Sequence, residues 1–281
     1  MVTIFLRSLV YNVLFYALLV FWILVALPTF VMPPRAFMTV AKAWSRSSVW
    51  LLRVICNIRL EVRGLEKIPD GPLIVASKHQ SFWETFALLQ FFDSPLFIYK
   101  RELGWIPFFG WYLMKSKMIG IDRDAGGRAL LNMTRRAGAE VRQGRQLIIF
   151  PEGTRRPVDA EPNYKTGIAQ IYIDCGVACL PVALNSGLFW PRRTFMRYPG
   201  TLVVEFLDPL PPGLKRREFI ARIAAVIEDA TRKLVDTARG EQAQLFGRVP
   251  SKVNEKVEGS KSSCLPSPGG GGSSHIERRE M

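Results

Sequence analysis

Apolar residues run almost unbroken from Leu9 to Met32, and no charged residue lies between Ser8 and Pro34. A run of that length can span a hydrocarbon core of about 30 Å, so the pattern predicts a membrane segment. It exceeds the apolar stretch of a secretory signal, about 7–15 residues, and no small-x-small cleavage site follows it. From 36 to 56 the pattern changes. Phe37, Val40, Trp44, Val49, Trp50, Leu51, Val54 and Ile55 stand among spaced Lys, Arg and Ser residues. That predicts an amphipathic helix in the headgroup region, with tryptophans at the interface. A helix packed on a globular core fits the same pattern, and a hairpin dipping into one leaflet is a third arrangement.

After Asn57 short apolar runs alternate with amphipathic ones. Strands are predicted at 57–62, 73–77, 96–100, 118–121, 146–150, 178–184 and 201–206. Helices are predicted at 82–92, 126–143, 166–175 and 215–238, the last closed by Gly240 at its C′ position. Such alternation predicts an α/β fold with a mixed, mostly parallel sheet flanked by helices. The 126–143 helix sets Leu130, Met133, Ala137 and Val141 on one side and a line of Arg128, Arg135 and Arg142 on another. A solvated face explains such a line, as does a contact with lipid headgroups or an acidic carrier protein. Pro181 interrupts the apolar run 178–184, as in an irregular strand lining a pocket or an edge strand. Three parts result: a membrane anchor over 1–56, an α/β domain over 57–248 and a tail over 249–281. The tail has too few large apolar residues for a core and is expected to be disordered.

Charge adds a partner class. Lys and Arg outnumber Asp and Glu by 38 to 24, a net charge of +14, which suits phosphates, anionic headgroups or acidic proteins. Arg7 precedes the apolar run while Arg35, Lys42, Arg46 and Arg53 follow it, which places the body on the cytoplasmic side. Cys56, Cys175, Cys179 and Cys264 form no CxxC pair and have no histidine to complete a zinc site, so no metal is expected. Cys175 and Cys179 fit buried, reduced thiols.

Of the two histidines, His79 alone lies outside the tail. It follows the apolar strand 73–77 and precedes the 82–92 helix, five residues before Glu84. On one helix, residues five apart diverge by roughly 140° at about 100° per residue. They meet only if His79 stands in the turn and Glu84 in the first helical turns. A carboxylate there can fix the imidazole tautomer and leave the other nitrogen as a general base. The segment also fits a turn histidine capping a helix, with Glu84 solvated. Ser81 has no GxSxG surroundings and reads as a turn residue.

A second cluster, Phe150-Pro151-Glu152-Gly153-Thr154-Arg155-Arg156, follows the strand 146–150. The carboxyl ends of strands are the edge where open α/β sheets bind ligands. Gly153 allows close backbone approach, Thr154 offers a hydroxyl and Arg155 a planar fork for a phosphate. Glu152 suits pinning an arginine, hydrogen-bonding a substrate hydroxyl, or a plain turn salt bridge. Between the clusters, 100–111 mixes Lys100 and Arg101 with Trp105, Phe108, Phe109 and Trp111, a mixture suited to an amphiphile or to an ordinary loop folding its aromatics inward.

Four ordered segments carry a resemblance: His79-x4-Glu84; Lys100-x-Glu102-Leu103 with Ile106-Pro107-Phe108-Phe109-Gly110; Phe150-Pro151-Glu152-Gly153-Thr154-Arg155; and Leu180-Pro181-Val182. Over about 62–204 the chain resembles the glycerolipid acyltransferases, most closely the bacterial 1-acyl-sn-glycerol-3-phosphate acyltransferases. The first segment departs from them, since the family's usually ends in aspartate and this one in Glu84. The resemblance implies acyl transfer from acyl-CoA or acyl carrier protein to the 2-hydroxyl of lysophosphatidic acid, giving phosphatidic acid. It implies His79 as general base with Glu84 holding the imidazolium, and Arg155 on the acceptor phosphate. Lys100 and Arg101 would support Arg155, while Glu152, Gly153 and Thr154 shape that site. No cofactor is implied. The partners are membrane lipids and the two substrates, with no nucleic acid, at a bacterial inner membrane. Other acceptors, such as lyso-ornithine lipid or a lysophospholipid, fit the same segments. A non-catalytic anionic-lipid-binding module leaves them unexplained.

Overall fold

In the computed structural model, which describes residues 1–122 and 126–246, the apolar runs after Asn57 become strands of one sheet. These are β1 (Ile58–Arg63), β2 (Leu73–Ser77), β3 (Pro95–Lys100), β4 (Ile119–Ile121), β5 (Gln146–Ile149), β6 (Cys179–Leu184) and β7 (Gly200–Phe206). Their order is β1-β7-β6-β2-β5-β3-β4, and every neighbouring pair is parallel except β6 with β7. The sheet is mixed and mostly parallel, as the alternation predicted. The tail over 249–281, with Cys264, lies outside the described residues.

Parallel interior strands are covered on both faces. Leu73 and Val75 of β2 join one apolar cluster, Ile74 and Ala76 a second. The helices supply the cover: α1 (Val2–Val25), α2 (Pro34–Cys56), α3 (Glu84–Ala87), α4 (Phe109–Lys115), α5 (Gly126–Arg142), α6 (Gly167–Cys175), α7 (Ser186–Phe189) and α8 (Arg216–Phe246). On α5, Met133, Ala137 and Val141 are buried as the pattern required, with Arg135 and Arg142 outside.

Four expectations are corrected. The 82–92 helix is one α-helical turn, α3, followed by a 3₁₀ turn at Leu88–Phe91. The last helix does not stop before Gly240 but runs to Phe246, because tertiary contacts hold its end. Glu241 accepts the Thr201 N–H at 3.0 Å and its hydroxyl at 2.9 Å, and Gln242 is buried. Within 100–111, Phe109 begins α4. Pro181 sits in an interior strand, where the β6–β7 ladder at 182–184 has ended, and its carbonyl accepts the Leu207 N–H at 3.0 Å.

α1 and α2 form an antiparallel hairpin through a 3₁₀ turn at Leu27–Val31, with Trp22 Nε1 donating to Ser47 Oγ at 3.0 Å. α1 with its turn is long and apolar enough to cross a membrane. One face docks on the body: Tyr11 and Phe15 join the cluster of Leu73 and Val75, as do Leu52 and Cys56 of α2. The turn is held by Lys115 Nζ, which donates to the Phe30 and Met32 carbonyls at 3.1 and 2.8 Å. The opposite face of α1, with Leu6, Leu9, Val13 and Val20, is exposed.

Candidate active site

β2 and β5 are neighbours, so the segments leaving their carboxyl ends meet. His79 leaves β2 in a turn and is buried, with 8% of its surface exposed. Its ring stacks on Phe150 at the end of β5, with centroids 3.8 Å apart and planes 15° apart. The Arg156 N–H donates to the His79 carbonyl at 2.9 Å, which ties the 150–156 loop to the turn.

Glu84 begins α3 and is fully buried, not solvated. Ser81 and Glu84 brace the turn that leads into α3: the Trp83 N–H donates to Ser81 Oγ at 2.9 Å, and the Ser81 N–H to Glu84 Oε1 at 3.0 Å. The carboxylate also accepts the Gln80 N–H at 2.9 Å, Ser81 Oγ at 2.8 Å and Ser186 Oγ at 2.6 Å. Burial raises its carboxyl above the ordinary value, and these hydrogen bonds oppose the rise. Ser81 is thus the turn residue its surroundings predicted. α7 can approach because Gly187 has no side chain; a Cβ there would stand 2.7 Å from Val158 Cγ2 and 2.9 Å from Gln80 Cβ.

The second cluster divides by role. Gly153 turns the chain at φ 67°, its N–H donating to the Phe150 carbonyl at 2.9 Å. Glu152 points inward: its Oε1 lies 3.1 Å from Lys78 Nζ and 3.7 Å from Arg156 Nε. Lys78, itself buried, also pairs with Glu228 of α8 at 2.6 Å, and the Tyr164 hydroxyl donates to Glu228 at 2.9 Å. Burial raises the Glu152 carboxyl, and Lys78 is the main influence against it. Of the readings open to Glu152, the structure places it beside an arginine and a lysine. Thr154 is exposed, Arg155 half-buried.

Lys100 and Arg101 lie at the same sheet edge but two strands from β2, about 10 Å away at the usual spacing. Lys100 pairs with Glu102 at 2.8 Å, and Arg101 approaches Asp122 at 3.8 Å. His79, Glu84, Glu152, Gly153 and Arg155 are brought into adjoining loops; Lys100 and Arg101 stand apart.

The sequence pattern assigned no role to Lys78, Phe150, Glu228, Arg192 or Arg193. A lysine directly after a buried strand was the available signal for the first, and Pro191-Arg192-Arg193 after an apolar run for the last two. The contacts of Lys78 with Glu228 cross 150 residues of chain, which no local pattern reveals.

A buried imidazole at the carboxyl edge of a mostly parallel sheet, tied to a loop that carries a half-buried arginine, belongs to the class of α/β folds that bind ligands at that edge. Comparison with known proteins agrees with this class. Residues 59–185 match the family model described as Acyltransferase. The 1-acyl-sn-glycerol-3-phosphate acyltransferase of Pseudomonas aeruginosa is 42% identical over 175 residues, 62% of this chain and 68% of that protein. The lyso-ornithine lipid O-acyltransferase of the same organism is 30% identical over 187 residues, covering 60% of this chain and 71% of its own. The crystal structure of the Thermotoga maritima 1-acyl-sn-glycerophosphate acyltransferase superposes with a TM-score of 0.68 at 23% identity, covering 82% of this chain and 97% of that one. The chain belongs to the acyltransferase family.

Proposed function

We propose that this enzyme transfers a fatty acyl group from a coenzyme A or acyl-carrier-protein thioester to the 2-hydroxyl of 1-acyl-sn-glycerol 3-phosphate, forming phosphatidic acid. The observation that carries this reading is the buried His79 stacked on Phe150, with Arg155 in the loop that hydrogen-bonds to the His79 carbonyl. The likeness to the Pseudomonas enzyme supports the acceptor.

His79 takes the proton of the acceptor hydroxyl as its oxygen attacks the thioester carbonyl. A C–O bond forms, the tetrahedral intermediate collapses with cleavage of the C–S bond, and the thiolate leaves with the proton returned by the imidazolium. Glu84 holds the turn and sets a negative charge near that imidazolium. Arg155 holds the acceptor phosphate, and Gly153 and Thr154 leave room for it, whereas Lys100 and Arg101 lie too far along the sheet edge to share it. Glu152 shapes the site through Lys78 and Arg156 rather than by reaching the substrate.

The α1–α2 hairpin attaches the enzyme to one leaflet of a bacterial inner membrane, from the cytoplasmic side. A helix that lays Tyr11 and Phe15 into the protein core cannot be ringed by lipid. The exposed face of α1 enters the bilayer while the sheet edge stays at headgroup level.

The test is an acyl-transfer assay on detergent-purified protein, with lysophosphatidic acid and each donor in turn and lyso-ornithine lipid as a second acceptor. Phosphatidic acid as the main product supports the reading; faster turnover on lyso-ornithine lipid overturns the acceptor assignment.

A further inference from the structure

Pro191-Arg192-Arg193 follows α7 and belongs to none of the segments that pointed to the site. The loop is held from two sides. On one, α7 is bonded to the catalytic turn, Ser186 Oγ donating to Glu84 and the Gly187 N–H to Gln80 Oε1 at 3.0 Å. On the other, the loop docks on α1. Asn12 Nδ2 donates to the Phe195 carbonyl at 3.2 Å, the Arg197 N–H donates to Ser8 Oγ at 2.9 Å, and the Phe5 and Phe195 rings meet at 5.6 Å. Arg192 and Arg193 therefore sit between the turn that carries His79 and the apolar helix. Arg193 holds φ at 58°, a conformation that residues with a Cβ seldom adopt.

These arginines differ from their neighbour Arg197. That guanidinium is committed to the carbonyls of Thr194, Phe195 and Met196 and to Asn12 Oδ1, and it stacks over Trp190. Among the described residues, Arg155, Arg192 and Arg193 have no side-chain hydrogen bond or ion pair. The loops that carry them border one turn, the Arg156 N–H donating to the His79 carbonyl and the Gly187 N–H to Gln80 Oε1, with Gly187 set against Val158; in keeping with this, after burial, the charges of Arg193, Arg155 and Arg156 hold Arg192 below its ordinary pKa. Unpaired guanidiniums kept together against repulsion form a site that an anion relieves, and their planar forks match phosphate oxygens.

We infer that Arg192 and Arg193, together with Arg155, form a phosphate-binding rim that receives the phosphomonoester of a single-chain lipid as it passes from the leaflet beside α1 to His79. The identity of that lipid rests on the proposed function; the phosphate chemistry rests on the arginines alone. A phosphate could also come from the donor or from bulk anionic lipid, and the contact of this loop with α1 favours the acceptor.

The full chain and its Arg192→Gln/Arg193→Gln variant are compared in zwitterionic mixed micelles free of anionic phospholipid. The double variant should raise KM for lysophosphatidic acid about tenfold, the loss of charge-assisted bonds to one phosphate. Its kcat and the donor KM should change less than about twofold, and its melting temperature should match wild type. Arg193→Gln alone, at an exposed position, should give an intermediate rise. Arg222→Gln, which breaks an exposed pair with Glu218, controls for net charge and should change nothing. A rise confined to the donor KM, unchanged constants, or a deficit seen only when phosphatidylglycerol is added would each overturn the assignment.

Calorimetric binding of lysophosphatidic acid against monoacylglycerol in the same micelles separates the two claims. If wild type does not acylate lysophosphatidic acid, the functional reading fails. An arginine-dependent preference for the phosphorylated lipid would keep the rim, and a preference unaltered in the double variant would remove it.

Discussion

The imidazole of His79 lies nearly parallel to the ring of Phe150, 3.8 Å between centroids, so the end of β5 fixes the orientation of a side chain that leaves β2. Stacking of this kind limits the ring to rotation in its own plane. Phe150→Ala should lower kcat about tenfold or more, because a general base off its line to the hydroxyl loses much of its contribution. KM for the acceptor should change little, and Phe150→Tyr should stay near wild type. Steady-state kinetics checks this, and an Ala variant with wild-type kcat counts against the positioning role.

The paired charges behind the site make a stability prediction. Lys78 bonds both Glu152 and Glu228 in the interior. Lys78→Met leaves two carboxylates without their shared cation, at a cost of about 3–5 kcal/mol, the usual range for breaking a buried pair. Adding Glu152→Gln and Glu228→Gln should recover much of that loss. Urea unfolding of the single and triple variants measures it; equal stabilities would contradict the network.

Burial raises the carboxyl of Glu84, so the folded chain holds that proton more tightly than the unfolded chain. Stability contributed by this residue therefore falls as pH rises from the ordinary value of 4.5 through the folded value, and is level above it. Glu84→Gln cannot titrate. The stability of wild type minus that of the variant should decline as pH rises above 4.5 and then level off. A difference that grows with pH has the wrong sign.

Arg155 has a kinetic signature of its own. Arg155→Gln should raise KM for lysophosphatidic acid about tenfold and leave kcat within a few-fold, as expected when an interaction is shared by ground and transition states. Unchanged KM would remove it from the phosphate site.

Much of the sheet was legible because its strands are apolar runs bounded by turn residues, as at 73–77 and 146–149. The helices were less so. α4 is about two turns of mostly aromatic and aliphatic residues whose composition equals that of a loop, and α8 passes Gly240 because Glu241 and Gln242 bond to other elements. At the site, spacing revealed His79, Glu84 and the 150–156 loop, since each follows a strand that ends at one edge. Lys78, Glu228 and the paired Arg192 and Arg193 become meaningful only when the fold closes distances of many tens of residues.

The central claim is that His79 removes the acceptor proton. The most direct measurement is kcat of His79→Ala with lysophosphatidic acid and acyl-CoA, beside its urea midpoint. A loss of about 10²–10⁴-fold, the usual contribution of a general base, with an unchanged midpoint is the predicted result. Turnover within a few-fold of wild type in a folded variant would contradict it.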